Sequence, residues 1–363
     1  MNRKQRVGII YGGKSAEHEV SLQSAKNIIH ALDREKYELV PIFISKDGQW
    51  FLDRDTEYLQ QSTSEDADRG ITPDIKLALT PGCENNQFIE TTPAQSARTI
   101  DVAFPVLHGT LGEDGSVQGS LKLANIPFVG ASVLGSAVGM DKDVCKRLLR
   151  DAGIPNADFI SMTRQDTIKF ADAIEKLGSP LFIKPANMGS SVGISKAETE
   201  QEYKAALDDA FLYDSKIIVE SFIDGREIEC AILGNEELKA SLPGEIMPSH
   251  DFYSYTAKYI DSEGARLEIP AKLTQETTLR IQETAIQVAR VLCCEGMARV
   301  DFFLTADDTL YVNEINTIPG FTQISMYPKL WEISGLSYSF LLDKLIDLAL
   351  KRHKRDSALK TQY

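Results

Sequence analysis

The sequence predicts an α/β protein: an N-terminal open parallel α/β domain followed by a two-part α+β module. Three observations carry this reading. An apolar run at 7–11, a helical periodicity over 21–32 and a second apolar run at 39–44 form a βαβ unit. A buried-looking strand at 100–107, a helix reaching Ala124 and a strand at 127–130 extend the pattern. Beyond residue 150 the order changes to short strands and hairpins interleaved with helices, as in an α+β unit.

The first strand ends in Gly12-Gly13, at the sheet edge where α/β proteins bind ligands. Residues 53–98 are polar, weakly periodic and rich in Ser, Thr, Asp and Pro, so they read as an insertion with short elements. The strand at 100–107 ends in His108-Gly109, and the loop 110–115 follows. A helix over 141–152 is stopped by Gly153 and Pro155. A strand at 182–185, a glycine-rich loop at 186–193, a helix near 201–211 and a strand at 217–220 make a small α+β unit. Residues 227–233 and 237–240 read as a hairpin over Gly234-Asn235. The Tyr-rich stretch 245–265 has no period and reads as a long loop, of a kind that is functional or disordered. Helices are expected at 275–292 and 338–351, with 352–363 a polar tail. The domain limits expected are 1–130, 131–220 and 221–363.

Composition narrows the class. The chain has 363 residues, 43% hydrophobic and 25% charged, which suits two or three soluble domains. A net charge of −14 argues against nucleic acid or anionic membrane as main partner, while leaving room for a local basic pocket. The five cysteines include no Cys-x-x-Cys pair, which suits free, mostly buried thiols in a reducing compartment. Cys293 and Cys294 are expected to pack in the core at a helix end. Neither a signal-type apolar segment nor a membrane-length run is present, so a cytoplasmic location is expected.

The most informative stretch lies at 297–316. Two strand-like runs flank Asp307-Asp308, and a two-residue turn there places Asp301 opposite Glu314 and Arg299 opposite Asn316. The period of two puts all four on one face. Val300, Phe302, Leu304, Tyr311 and Ile315 then make an apolar face, with Asn313 the exception. Facing carboxylates repel unless a cation lies between them, and two acids with an amide form an all-oxygen set suited to Mg²⁺ held with nucleotide phosphates. Solvated charges on an exposed hairpin are the alternative.

Other motifs point the same way. Gly8 to Ser15 matches the letters of a phosphate-binding P-loop, but its variable positions are the strand itself, so the match is rejected. Glu17, His18 and Glu19 follow the first turn; a carboxylate there could bind an ammonium group, or simply favour a helix N-terminus. Lys184 at a strand end leads into the loop from Ala186 to Gly193, whose backbone N–H groups and hydroxyls suit nucleotide phosphates. Lys142 could add a second charge. The strand end at Glu220 could receive an adenine through backbone groups, and Glu227 could hold ribose hydroxyls; a solvated strand end is the alternative. Gly320 suggests close approach to a ligand, and Arg299 could neutralise phosphoryl or carboxylate oxygens.

Taken together, these residues resemble the ATP-grasp superfamily and, within it, the D-alanine–D-alanine ligases. The resemblance runs from Gly12-Gly13-Lys14-Ser15-Ala16-Glu17-His18-Glu19-Val20-Ser21 to Met326-Tyr327-Pro328. Between them lie His108-Gly109 with Gly112-Glu113-Asp114-Gly115, Met140-Asp141-Lys142, Gly189-Ser190-Ser191-Val192-Gly193, the tyrosines around 255–259, Arg299-Val300-Asp301 and Glu314-x-Asn316-x-x-Pro319-Gly320. The insertion at 53–98 is similar to the A-type form of the family.

The resemblance implies an ATP-dependent ligase that joins two D-alanines through a D-alanyl phosphate, for peptidoglycan precursor synthesis. It implies that Glu17 binds the first ammonium and that Ser190 and Tyr259 tie the loops over the site. Arg299 and the Gly320 N–H would form the oxyanion site, with Ser325 on the second carboxylate. Asp301, Glu314 and Asn316 would hold two Mg²⁺ ions, or Mn²⁺ in their place. Lys142, Lys184 and Lys258 would contact phosphates, and Glu220 and Glu227 the adenine and ribose. The implied substrates are D-alanine and ATP, the implied assembly a homodimer through the first domain. Tyr259 favours an amine acceptor, because the D-alanyl-D-lactate ligases lack it. Ser221 departs from the lysine many members carry. Two alternatives stay open: an ATP-grasp ligase for another amino acid, and a regulatory nucleotide- or amino-acid-binding protein that keeps the fold without turnover.

Overall fold

The computed structural model describes residues 3–53, 75–91, 97–248 and 265–360. Strand β1 (Gln5–Gly12) is buried from Val7 onward, because it pairs on both edges. Its neighbours are β2 (Tyr37–Ile44) and β7 (Val102–Val106), both parallel. Helix α1 (His18–Ala31) makes the crossover between β1 and β2; it starts earlier than predicted, with Glu17 at its N-cap. Strands β3 (Trp50–Leu52), β4 (Ile75–Leu79), β5 (Phe88–Glu90) and β6 (Ala97–Arg98) continue antiparallel, in the order β6-β5-β4-β3-β2-β1-β7. The predicted open parallel sheet is therefore mixed. Parallel pairing is confined to β1 with β2 and β7; short connections bring in β2–β3, β4–β5 and β5–β6 antiparallel, and β3–β4 pair antiparallel across a longer one. The strand expected at 127–130 shrinks to one parallel bridge, Phe128 with Ala103.

Helix α2 (Ser116–Leu123) closes the first layer. A helix not expected from the sequence, α3 (Val133–Met140), follows a Ser132 cap whose Oγ accepts the Gly135 N–H. Its glycines hide it from periodicity yet are required by packing. A Cβ at Gly135 would lie 2.5 Å from the Cys293 carbonyl oxygen, and one at Gly139 2.9 Å from Thr317 Cγ2. Helix α4 (Lys142–Asp151) then starts at the Asp141 side-chain cap.

A second sheet has β8 (Phe159–Thr163), β9 (Leu181–Pro185), β10 (Ser195–Ala197) and β11 (Lys216–Ser221) in the order β10-β9-β11-β8, all antiparallel. Helices α5 (Phe170–Leu177) and α6 (Glu200–Tyr213) pack on it, α6 opened by a Thr199–Glu202 capping box.

The third sheet runs β15-β14-β12-β16-β17, with β13 beside β12. Its strands are β12 (Arg226–Gly234), β13 (Lys239–Ala240), β14 (Gly244–Pro248), β15 (Ala265–Glu268), β16 (Gly296–Leu304) and β17 (Leu310–Asn316). Helices α7 (Gln275–Val291), α8 (Met326–Ile333) and α9 (Tyr338–Ser357) cover it. Both ends of the expected 245–265 loop are strands, paired from Glu245 with Glu268 to Pro248 with Ala265. Tyr259 and Lys258 lie outside the described residues. The tail expected after Lys351 is also corrected. Helix α9 continues to Ser357, because buried Arg352 donates to the carbonyl oxygens of Phe128 (2.7 Å) and Gly130 (2.5 Å).

One core joins the first and third layers: Val7, Phe104 and Leu22 pack with Phe321, Tyr327 and Leu341. Cys294 is buried as expected, but Cys293 is exposed at the left-handed φ of 56° that ends α7. Burial pushes the Cys145 and Cys230 thiols up to about 12.

Candidate active site

Strands β12, β16 and β17 lie side by side, so Glu229, Asp301 and Glu314 form a row across them. Arg299 precedes Asp301 by two residues and shares its face. Its Nε and Nη2 each lie 2.7 Å from an Asp301 carboxylate oxygen, and Nε lies 3.0 Å from Glu229 Oε2. Burial alone would favour the neutral guanidine, but Asp301 and Glu229 hold Arg299 well above its ordinary value. Asn316 stands opposite Arg299.

The expected pairing of Asp301 with Glu314 and Arg299 with Asn316 is observed, but the route to it differs. The turn has three residues: Thr305 N–H donates to the Thr309 oxygen at 3.0 Å, and Asp308 takes a φ of 65°. That shifts the register by one, so Phe302 faces Val312. A bulge then adds Asn313 on β17, and Asp301 faces Glu314 again. Two departures cancel at the site and not elsewhere. Leu310 and Val312 are buried, while Tyr311 pairs with Phe303 on the opposite face from the one expected. Asn313, the polar exception, is the bulge residue and borders the same cavity as Glu314.

That cavity encloses 430 Å³. All three layers contribute to it: Glu17 and His108 from the first, Lys142 and Ser190 from the second, Arg299 and Glu314 from the third. Glu227, Asp301, Asn316, Gly320 and Ser325 also border it. The N-cap position aims Glu17 inward, and the Ser190 hydroxyl donates to Glu17 Oε1. Ser190 and Ser191 reach it through left-handed backbone at φ 51° and 61°. A Cβ at Gly189 would lie 3.0 Å from Glu17 Oε2, so a side chain there would press on the carboxylate. Lys142 Nζ donates to the Met188 oxygen at 2.7 Å and lies 3.5 Å from Glu314 Oε2. At Gly320 a Cβ would stand 2.7 Å from Ser325 Oγ. The Ser325 hydroxyl is 2.8 Å from Thr322 Oγ1 and accepts the Thr322 N–H at 2.9 Å.

Comparison with known proteins decides the family. One D-ala D-ala ligase family model, the N-terminus, matches residues 6–131, and a second, the C-terminus, matches 148–347. The chain belongs to the D-alanine–D-alanine ligase family. D-alanine–D-alanine ligase A of Escherichia coli K12 is 54% identical over 361 residues, covering 99% of both chains. The D-alanine–D-alanine ligase structure from Coxiella burnetii superposes with a TM-score of 0.87 at 40% identity, over 98% of this chain and 96% of that one. The VanG D-Ala:D-Ser ligase of Enterococcus faecalis follows at 0.84 and 38%, over 96% and 100%. The fold is accordingly that of the ATP-grasp ligases.

Two of the phosphate and nucleotide candidates sit outside the ligase cavity. Glu220 is buried, with Lys184 Nζ 2.5 Å from one carboxylate oxygen and Lys146 Nζ 2.6 Å from the other. Burial would raise it, yet Lys146 and Lys184 hold it down at about 2. Its side chain is thus engaged by lysines, and only its backbone edge faces other tasks. Lys146 escaped the sequence reading, although its spacing of four from Lys142 on one helix was visible. Glu229 and Glu113 were missed too. Glu229 had the signal of strand alternation with Glu227, whereas Glu113 was visible only as a motif letter.

The acid face fits a hard cation. Asn316 Oδ1 is buried with no hydrogen-bond partner among the described residues, and Asp301 and Glu314 share its face. Among the described residues no cluster of three or more His, Cys, Asp or Glu side chains could hold a metal ion alone. Two carboxylates and one amide leave much of a six-oxygen shell unfilled, so the set suits an ion whose shell phosphate oxygens complete. No helix of the described residues is long and apolar enough to cross a membrane.

Proposed function

We propose that the chain catalyses ATP-dependent joining of two D-alanines into D-alanyl-D-alanine, for peptidoglycan precursor synthesis. One observation carries this reading: a carboxylate placed to bind an ammonium group, Glu17, borders the same cavity as Arg299 and Gly320. Glu17 binds the first D-alanine's ammonium, and the carboxylate of that D-alanine takes the γ-phosphoryl group of ATP. The resulting acyl phosphate and ADP are the first products. The second amino group, deprotonated, attacks the acyl carbon; the tetrahedral intermediate collapses, breaks the C–O bond to phosphate and gives the dipeptide. Arg299 and the Gly320 N–H stabilise the oxyanion, and Ser325 receives the second carboxylate. Lys142 and Lys184 meet the phosphates, joined by Lys258, while Glu220 and Glu227 take the adenine and ribose. Asp301, Glu314 and Asn316 would hold two Mg²⁺ or Mn²⁺ ions, which neutralise phosphate charge when bound. Ser190 links the second layer to Glu17, and Tyr259 shares that task. Closure over an acyl phosphate excludes water, which would otherwise hydrolyse it.

ADP release by the purified chain with Mg²⁺ and ATP tests this, read with product mass. Release that depends on D-alanine and yields D-alanyl-D-alanine is expected. The likeness to a D-Ala:D-Ser ligase makes D-serine a required comparison, beside L-alanine and D-lactate. Turnover with another acceptor would sink the substrate assignment, and nucleotide binding without turnover would favour a regulatory protein. The proposed domain limits remain 1–130, 131–220 and 221–363. A cytoplasmic homodimer through the first domain completes the proposal; light scattering tests its assembly.

A further inference from the structure

The segment from Ile318 to Phe321 belongs to the third layer, yet first-layer side chains hold it at both ends. Glu113 Oε1 accepts the Ile318 N–H at 2.9 Å. His108 Nδ1 lies 2.9 Å from the Ile318 oxygen. At the other end, Ser24 Oγ accepts the Phe321 N–H at 3.1 Å, and Asn27 Nδ2 donates to the Phe321 oxygen at 2.9 Å. Ser24 Oγ also lies 3.2 Å from His108 Nε2. With a neutral His108 the chain runs in one direction: Phe321 N–H to Ser24, Ser24 hydroxyl to His108 Nε2, His108 Nδ1–H to Ile318. Burial favours that neutral form.

Between the two held residues lie Pro319, which has no N–H, and Gly320. No described residue accepts from the Gly320 N–H. The clamp therefore satisfies the polar backbone groups of both flanking residues and leaves one donor at the cavity wall. Glu113 is the centre of this clamp. Its second oxygen accepts the Gly109 N–H at 2.8 Å, so a first-layer loop fixes the carboxylate and the carboxylate fixes Ile318. The cost is considerable. Burial, and next the Glu17 carboxylate, raise Glu113 toward its neutral form, against the two N–H bonds that favour the anion. A buried acid next to a second acid serves structure poorly if apolar packing would do.

We infer that Glu113 is a positioning residue for the ligase reaction: with Ser24 and His108 it holds segment 318–321 so that the Gly320 N–H meets the oxyanion. The inference rests on the proposed role of Gly320. A donor held this way matters most in the transition state, where displacement by about 1 Å costs about 100-fold in rate.

The test is Glu113→Gln in the full chain. Glutamine offers one acceptor oxygen to two N–H groups, so one of them loses its partner. The expected result is a fall in kcat of about 10–100-fold, with KM for ATP and D-alanine within about twofold. A phosphinate analogue of the tetrahedral intermediate should lose affinity by the same factor, while ADP affinity stays put. If the variant melts below assay temperature, Ser24→Ala, at the other end of the segment, carries the same expectation. Higher KM values at unchanged kcat, or a lower melting temperature as the sole change, would overturn the inference. Arg299→Lys, run beside it, separates two failures. Loss of the analogue in Arg299→Lys alone leaves the oxyanion reading intact and removes Glu113 from it; loss in neither variant removes the oxyanion reading itself.

Discussion

Lys146 Nζ lies 2.6 Å from Glu220 Oε1, and neither side chain is more than 3% exposed. Lys184 holds the other oxygen, so one buried carboxylate is shared by two ammonium groups. Lys146→Met leaves Glu220 with one partner and should cost about 3–5 kcal/mol of stability, read by denaturant unfolding. The pH dependence has a definite sign. Glu220 sits at about 2 in the folded chain, below its ordinary 4.5, so its contribution is complete above pH 4.5 and lost as pH falls toward 2. Unfolding free energy should drop across that window in the parent chain and less steeply in Lys146→Met. Equal slopes would assign acid unfolding to other carboxylates.

The Glu17 carboxylate accepts the Ser190 hydroxyl through Oε1. Glu17→Gln keeps an acceptor oxygen for Ser190 while removing the charge an ammonium would pair with. A charged hydrogen bond is worth about 1.5–3 kcal/mol, so KM for D-alanine should rise about 10–100-fold. KM for ATP should move by less than about threefold, since the proposed phosphate contacts are made by Lys142 and Lys184 and not by this acid. Comparable rises in both constants would refute ammonium binding at Glu17.

Asp301 faces Glu314 on one side and Glu229 on the other, and Arg299 spans both of its oxygens. Asp301→Asn keeps one oxygen but loses the charge, and Arg299 retains Glu229. If Asp301 also serves a cation, the Mg²⁺ midpoint for ADP release should rise and kcat at saturating ATP fall at least about 100-fold. An unchanged midpoint would leave Asp301 as the counter-ion of Arg299 and no more.

What the sequence discloses here depends on how far each feature reaches. Parallel strands such as β1 announce themselves by continuous apolar runs, and Gly189 and Ser190 by local turn chemistry. The facing of Asp301 and Glu314 was legible because a longer turn and the Asn313 bulge cancel, and only the polar break at Asn313 hinted at either. Helix α3 was hidden because its glycines answer close contacts with Cys293 and Thr317, more than 150 residues away in the chain. Glu113 showed only as a motif letter and Lys146 only by its spacing from Lys142; their roles are set by Ile318 and Glu220, distant partners that no local pattern names.

Arg352 makes that point testable at the C-terminus. Charge-rich and near the chain end, it reads as part of a solvated tail, yet it is buried and donates to the Phe128 and Gly130 oxygens. Its guanidinium also lies 4.6 Å from the Phe128 ring centroid. Arg352→Ala would leave both carbonyl groups buried without their donor, and the lost bonds should cost about 3 kcal/mol. Because no catalytic group is touched, kcat/KM at a temperature well below melting should stay within about twofold. Removing residues 352–363 should cost at least as much. A truncated chain with unchanged melting temperature would restore the tail reading and deny α9 its role as the strap between the third layer and the first.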